Sequence, residues 1–111
     1  MKVSLTRMGG VTVLAPKGAI AQEAVADFAA SVEEERAKSD GRLVIELSEV
    51  SFFDSQGIET LWDFADRQRD GGQTAKVAAV PELCREIFEL TGVAKSLDCF
   101  DTAQSAAKSF L

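Results

Sequence analysis

At 111 residues, with 46% hydrophobic and 27% charged residues, the chain has the composition of an ordinary soluble globular protein, long enough to bury roughly two-thirds of its unfolded surface in one core. Eighteen acidic against twelve basic residues leave a net charge of −6, which opposes nucleic-acid phosphates and anionic lipid surfaces, so no nucleic-acid partner is expected. No run approaches the roughly 20 apolar residues of a membrane span, and Lys2 is not followed by an apolar leader, so the expectation is a cytoplasmic protein without direct membrane insertion.

Val3 to Arg7 and Val11 to Ala15 alternate apolar and polar residues on either side of Met8-Gly9-Gly10, the pattern of a hairpin. From Gln22 to about Lys38, Val25, Phe28, Ala29 and Val32 follow the spacing of one helical face, with Glu33-Glu34-Glu35-Arg36 as its solvated end and Ser39-Asp40-Gly41 as its stop. Leu43 to Leu47 is dense in branched apolar residues, as in a central strand covered on both faces. It leads through a short loop into Asp54-Ser55-Gln56-Gly57, a helix start. Ile58, Leu61, Trp62 and Ala65 mark the inner face of that helix, which runs to Arg69 and ends at Asp70-Gly71-Gly72; Gln56, Glu59, Asp63, Asp66 and Arg67 mark its outer face. Gln73 to Val80 reads as a strand. Pro81 opens a third helix, with Leu83, Cys84, Ile87 and Phe88 on one face and Gly92 as its cap. Leu97 to Phe100 and a short helix from Thr102 close the chain. The order β-β-α-β-α-β-α-β-α predicts an α/β fold of one domain over 1–111, a small mixed sheet flanked by about four helices.

The chain contains no histidine and no tyrosine, which removes the commonest general base, the commonest metal ligand and any Ser-His pair. Glu33, Glu34 and Glu35 are adjacent on a helix and fan out instead of converging. No Gly-rich phosphate loop has the Walker or Rossmann spacing. Cys84 and Cys99 fit neither a disulfide framework nor a zinc site and read as two small buried hydrophobes. No catalysis, cofactor or metal is therefore expected.

One hydroxyl, Ser55, stands where a strand hands over to a helix. The first N–H groups of a helix lack internal partners and carry the positive end of the macrodipole, so a phosphate there would be favoured. The alternative is capping, since Asp and Ser are both preferred N-cap residues. Gly57 either relieves a turn or leaves room for a partner's backbone.

The run from Val44 to Gly57, followed by Ile58-Glu59-Thr60-Leu61-Trp62, resembles the STAS family, small domains typified by bacterial anti-sigma factor antagonists. Pro81 to Val93 is similar to the family's third helix and Leu97 to Phe100 to its last strand, so the resemblance covers nearly the whole chain. Pro16-Lys17-Gly18-Ala19-Ile20 lies where a Gly-x-Leu-Asp-like loop is usual, but Ala21 stands in place of the aspartate. The resemblance implies a non-enzymatic regulator that binds an ATP-dependent anti-sigma factor serine kinase while unphosphorylated, is phosphorylated by it on Ser55, and is restored by a PP2C-type phosphatase. Asp54, Gln56, Gly57, Glu59, Thr60 and Asp63 would form the docking face. A phosphate adds about −1.5 to −2 charges and would disfavour docking onto an acidic surface or into a buried interface. The alternative from the same family is a constitutive STAS accessory subunit of a lipid-transport ABC complex, which needs the helix face but not the hydroxyl.

Overall fold

The computed structural model describes residues 1–111. The opening hairpin forms as expected: β1 (Lys2–Met8) and β2 (Val11–Ile20) pair antiparallel, from Lys2 opposite Lys17 to Met8 opposite Val11. Gly9 and Gly10 turn the chain at φ 58° and 87°, in the left-handed region that glycine enters without penalty. β2 continues through Pro16 to Ile20, a run read from sequence as a loop. What extends it is β4 (Val50–Phe53), a strand absent from the expected order, which pairs with the far end of β2 through Gly18–Val50 and Ile20–Phe53. Four residues with Ser51 and Phe52 exposed carry no alternation strong enough to read as a strand; the pairing is made by tertiary contact.

α1 (Glu23–Lys38) buries Phe28 and Val32 and ends at Ser39, whose Oγ donates to the Glu35 carbonyl at 2.7 Å. The acidic run at its end is not wholly solvated, because Glu35 is buried and Glu33 pairs with Arg36 and, across helices, with Arg67 at 3.0 Å. β3 (Leu43–Glu46) lies parallel between β2 and β5 (Ala75–Ala78), and β6 (Leu97–Phe100) pairs parallel with β5. The sheet order is β1-β2-β3-β5-β6 with β4 attached to β2. With α2 (Ser55–Asp70), α3 (Glu82–Thr91) and α4 (Ala103–Lys108) this is a mixed sheet of six strands and four helices, the expected class with one strand more.

Strand alternation divides the core in two. Leu14, Leu43, Ile45 and Val77 point to one face and pack with Phe28, Leu61, Phe64 and Phe88 from α1, α2 and α3. Val13, Val44 and Ala78 point to the other, where Ala103, Ala106 and Ala107 of α4 cover them. β3 is thus buried on both faces, as its composition required. Three sequence expectations are corrected. Leu83 is exposed, because α3 turns Cys84 and Phe88 inward, whereas Trp62 packs half-buried against the core beside Ile58, Leu61, Phe64 and Ala65 as expected. Cys99 is exposed on β6, while Cys84 is buried with Sγ 3.8 Å from the Val50 carbonyl. The strand expected over residues 73–80 is confined to Ala75–Ala78. No helix is long and apolar enough to cross a membrane.

Candidate functional site at the start of α2

β4 ends on Phe53, whose ring sits edge-on between Phe28 (6.2 Å) and Phe88 (5.2 Å) in the core. That anchor fixes where the chain leaves the sheet and starts α2. The next residue, Asp54, is extended and is the N-cap: its Oδ1 accepts the Gly57 N–H at 2.9 Å. Its Oδ2 accepts the Gln22 N–H at 3.0 Å, and its own N–H donates to the Ile20 carbonyl at 3.2 Å. One carboxylate therefore ties the start of α2 to the β2–α1 connection, 32 residues earlier. Gln22 is held at φ 52°, a left-handed conformation costly for a residue with a Cβ, and the Asp54 bond helps to hold it there. Nothing in the sequence links Gln22 to Asp54. Ala21, half-buried beside it, brings no carboxylate of its own.

Ser55 is the first residue of α2 and is exposed. Its hydroxyl enters none of the hydrogen bonds around the helix start, which run through Asp54. Of the two sequence readings of Asp54-Ser55, capping belongs to Asp54 alone. The anion favoured at this helix end is in the first place the Asp54 carboxylate, and a phosphate on Ser55 would share the position with it.

Gly57 serves neither purpose considered from the sequence. A Cβ on it would lie 2.5 Å from the Ile20 carbonyl oxygen and 3.1 Å from both Ile20 Cγ2 and Phe53 Cδ2, so the space beside it is filled by the protein's own β2. Gln56, Glu59 and Asp63 are exposed on the outer face of α2 as expected. Thr60 is not: it is buried, its Oγ1 3.3 Å from the Gln56 carbonyl, on the flank where Ala29, Val32 and Glu33 of α1 approach α2. No group of three or more Asp, Glu or Cys is placed to hold a metal ion.

The Gly57 and Gln22 N–H groups hold the Asp54 carboxyl below its ordinary 3.8. A folded value below the unfolded one means that the stabilisation is complete above pH 3.8 and is lost as the pH falls through the folded value. Asp54→Asn keeps a capping oxygen but not the charge. It should melt below wild type at neutral pH, with the gap closing in acid; melting curves of both proteins across pH measure this, and a gap independent of pH would contradict the charged clamp.

The family model of the STAS domain matches residues 2–106. No match is found among the curated proteins. Among solved structures, the chain is similar to a candidate anti-sigma factor antagonist of Thermotoga maritima (18% identity, TM-score 0.86, covering 96% of this chain and 92% of that one). It is similar also to an anti-sigma factor antagonist of Mycobacterium paratuberculosis (25% identity, TM-score 0.82, 97% and 92% covered). A third is the Bacillus cell fate determinant SpoIIAA in its phosphorylated form (17% identity, TM-score 0.68, 99% and 100% covered).

Proposed function

The chain belongs to the STAS domain family, and on that footing we propose that it is a protein-binding regulator of the anti-sigma factor antagonist type, switched by phosphorylation of Ser55 by a partner anti-sigma factor serine kinase. The observation that carries this reading is the division of labour at the start of α2: Asp54 caps the helix and ties the loop, which leaves the Ser55 hydroxyl exposed and free to react. An accessory subunit of a transport complex has no use for a free hydroxyl at this point, and no feature favours that reading.

In the unphosphorylated form, Gln56, Glu59 and Asp63 present a polar face beside the hydroxyl for docking, with Asp54 at its edge. Gly57 and Thr60 support this face from inside: Gly57 lets α2 close onto β2, and Thr60 packs the flank toward α1. The kinase supplies nucleotide and catalysis. Oγ of Ser55 attacks the γ-phosphorus of ATP, the bond to the β-phosphate oxygen breaks, ADP leaves, and the serine proton passes to a base of the kinase. The product carries about −1.5 to −2 charges beside Asp54 and Glu59, where a packed interface cannot hydrate it, and the complex separates. A PP2C-type phosphatase restores the hydroxyl and with it the binding. The domain acts by binding and release, with no reaction of its own, and transcription responds through the sigma factor that the partner then holds or frees. SpoIIAA, whose fold this chain shares, has been solved both unphosphorylated and phosphorylated.

Incubation with the kinase and ATP should add one phosphate, located on Ser55 by peptide mass spectrometry. A phosphate placed reproducibly on Ser48, Ser51 or Thr60 with Ser55 untouched would overturn the assignment; Thr60, being buried, is the least accessible of these.

A further inference from the structure

The connection between β2 and α1 is fastened from outside itself. Gln22 is the N-cap of α1, yet its side chain caps nothing, and its backbone stands at φ 52° and ψ −126°, a region costly for any residue with a Cβ. Its carbonyl accepts the Val25 N–H at 3.1 Å, so the first turn of α1 is built on this strained residue. Its N–H has one acceptor, Oδ2 of Asp54 at 3.0 Å, in a contact exposed to solvent. The net hold of that bond is its charge-assisted gain less the strain it maintains, which makes the connection one of the easier parts of the domain to open.

Ser55 follows Asp54 directly and is exposed at the same helix end. A phosphate on it brings about −1.5 to −2 charges and three acceptor oxygens next to the Asp54 carboxylate. Two anions then compete for one helix N-terminus, and each repels the other. α2 loses little in this exchange, because phosphate oxygens accept the N–H groups of its first turn as a carboxylate does. Gln22 has no such substitute, because its N–H depends on Asp54 alone.

We propose that phosphorylation of Ser55 is relayed through the Asp54 carboxylate to the β2–α1 connection: Asp54 leaves the Gln22 N–H, Gln22 relaxes from its strained conformation, and the first turn of α1 frays. This rests on the reading of Ser55 as the switch. The phosphate then changes the shape of the surface beside α2 as well as its charge, and the change appears on an element whose sequence holds no sign of it.

The test is amide hydrogen exchange at Gln22, followed by NMR on the full chain, unmodified and with phosphoserine incorporated at position 55 during synthesis, so that no kinase is needed. Phosphorylation should speed exchange at Gln22 by about 10-fold or more, while Gly18, whose N–H donates to the Glu49 carbonyl at 2.9 Å, should change by less than about 2-fold. Asp54→Asn has one side-chain oxygen for two N–H groups; with that oxygen on the helix cap, Gln22 should exchange fast without phosphate and gain less than about 2-fold from it. Gln22→Gly takes the same backbone conformation without strain, so its residue 22 amide should speed by less than about 3-fold on phosphorylation. A Gln22 rate unchanged by phosphate would overturn the relay, and loss of kinase binding by the same phosphorylated sample would leave the Ser55 switch standing. Equal acceleration at Gly18 would mean general loosening and would also overturn it, as would a Gln22→Gly chain that responds as fully as wild type. Release of Gln22 in a chain that binds the kinase equally in both forms would uphold the relay and overturn the switch.

Discussion

Gly57→Ala should lower the melting temperature by about 10 °C, although alanine is the better helix former. Gly57 lies in the first turn of α2 without a positive φ, so conformational freedom is not what it provides. It provides space: the added methyl would stand 2.5 Å from the Ile20 carbonyl oxygen, a backbone atom that also accepts the Asp54 N–H. Relief requires α2 to move off the end of β2, which stretches that hydrogen bond and the Asp54–Gln22 contact together. Overpacking against backbone costs about 3 kcal/mol, opposed by about 1 kcal/mol of helix propensity, and the net ~2 kcal/mol gives the shift stated for a domain of this size. Thermal melting by circular dichroism measures it. A melting temperature equal to or above wild type would mean that the end of β2 yields easily and does not fix α2.

Ser55→Asp should bind the partner kinase about 100-fold more weakly than wild type, while Ser55→Ala binds about as well as wild type and cannot be released. Both should fold with little change in stability, since Asp54 provides the cap in all three proteins. This is the point at which a switch parts from a cap: were Ser55 a structural cap, alanine would destabilise and aspartate would not. An aspartate carries less charge and fewer acceptor oxygens than a phosphate, so the loss it causes is a lower bound. Binding isotherms and melting curves of the three proteins decide the matter, and equal affinities with a destabilised Ser55→Ala would reverse the assignment.

What was legible in the sequence is what local patterns encode. The hairpin announced itself in alternation around Gly9-Gly10, α1 and α2 in their apolar periodicity, β3 in a run of branched residues buried on both faces, and the start of α2 in Asp54-Ser55-Gln56-Gly57. What was hidden depends on residues far apart in the chain. β4 exists because the end of β2 is there to pair with it; Gln22 belongs to the site because a backbone N–H, which every residue but proline carries, meets Asp54; Gly57 is required by the carbonyl of Ile20. Thr60 illustrates the same limit within one helix, since its spacing from Gln56 and Asp63 is compatible with exposure and only the approach of α1 buries it. Cys99 reads as a buried hydrophobe by residue type, but β6 is an edge strand with a neighbouring strand on one side only.

The most direct measurement is a titration of the partner kinase with two preparations of the wild-type chain, one unmodified and one carrying a single phosphate on Ser55, confirmed by mass spectrometry. The expected result is tight binding of the first and loss of binding by 100-fold or more for the second, with affinity recovered after phosphatase treatment. Equal affinities of the two preparations would contradict the switch, whatever else Ser55 does.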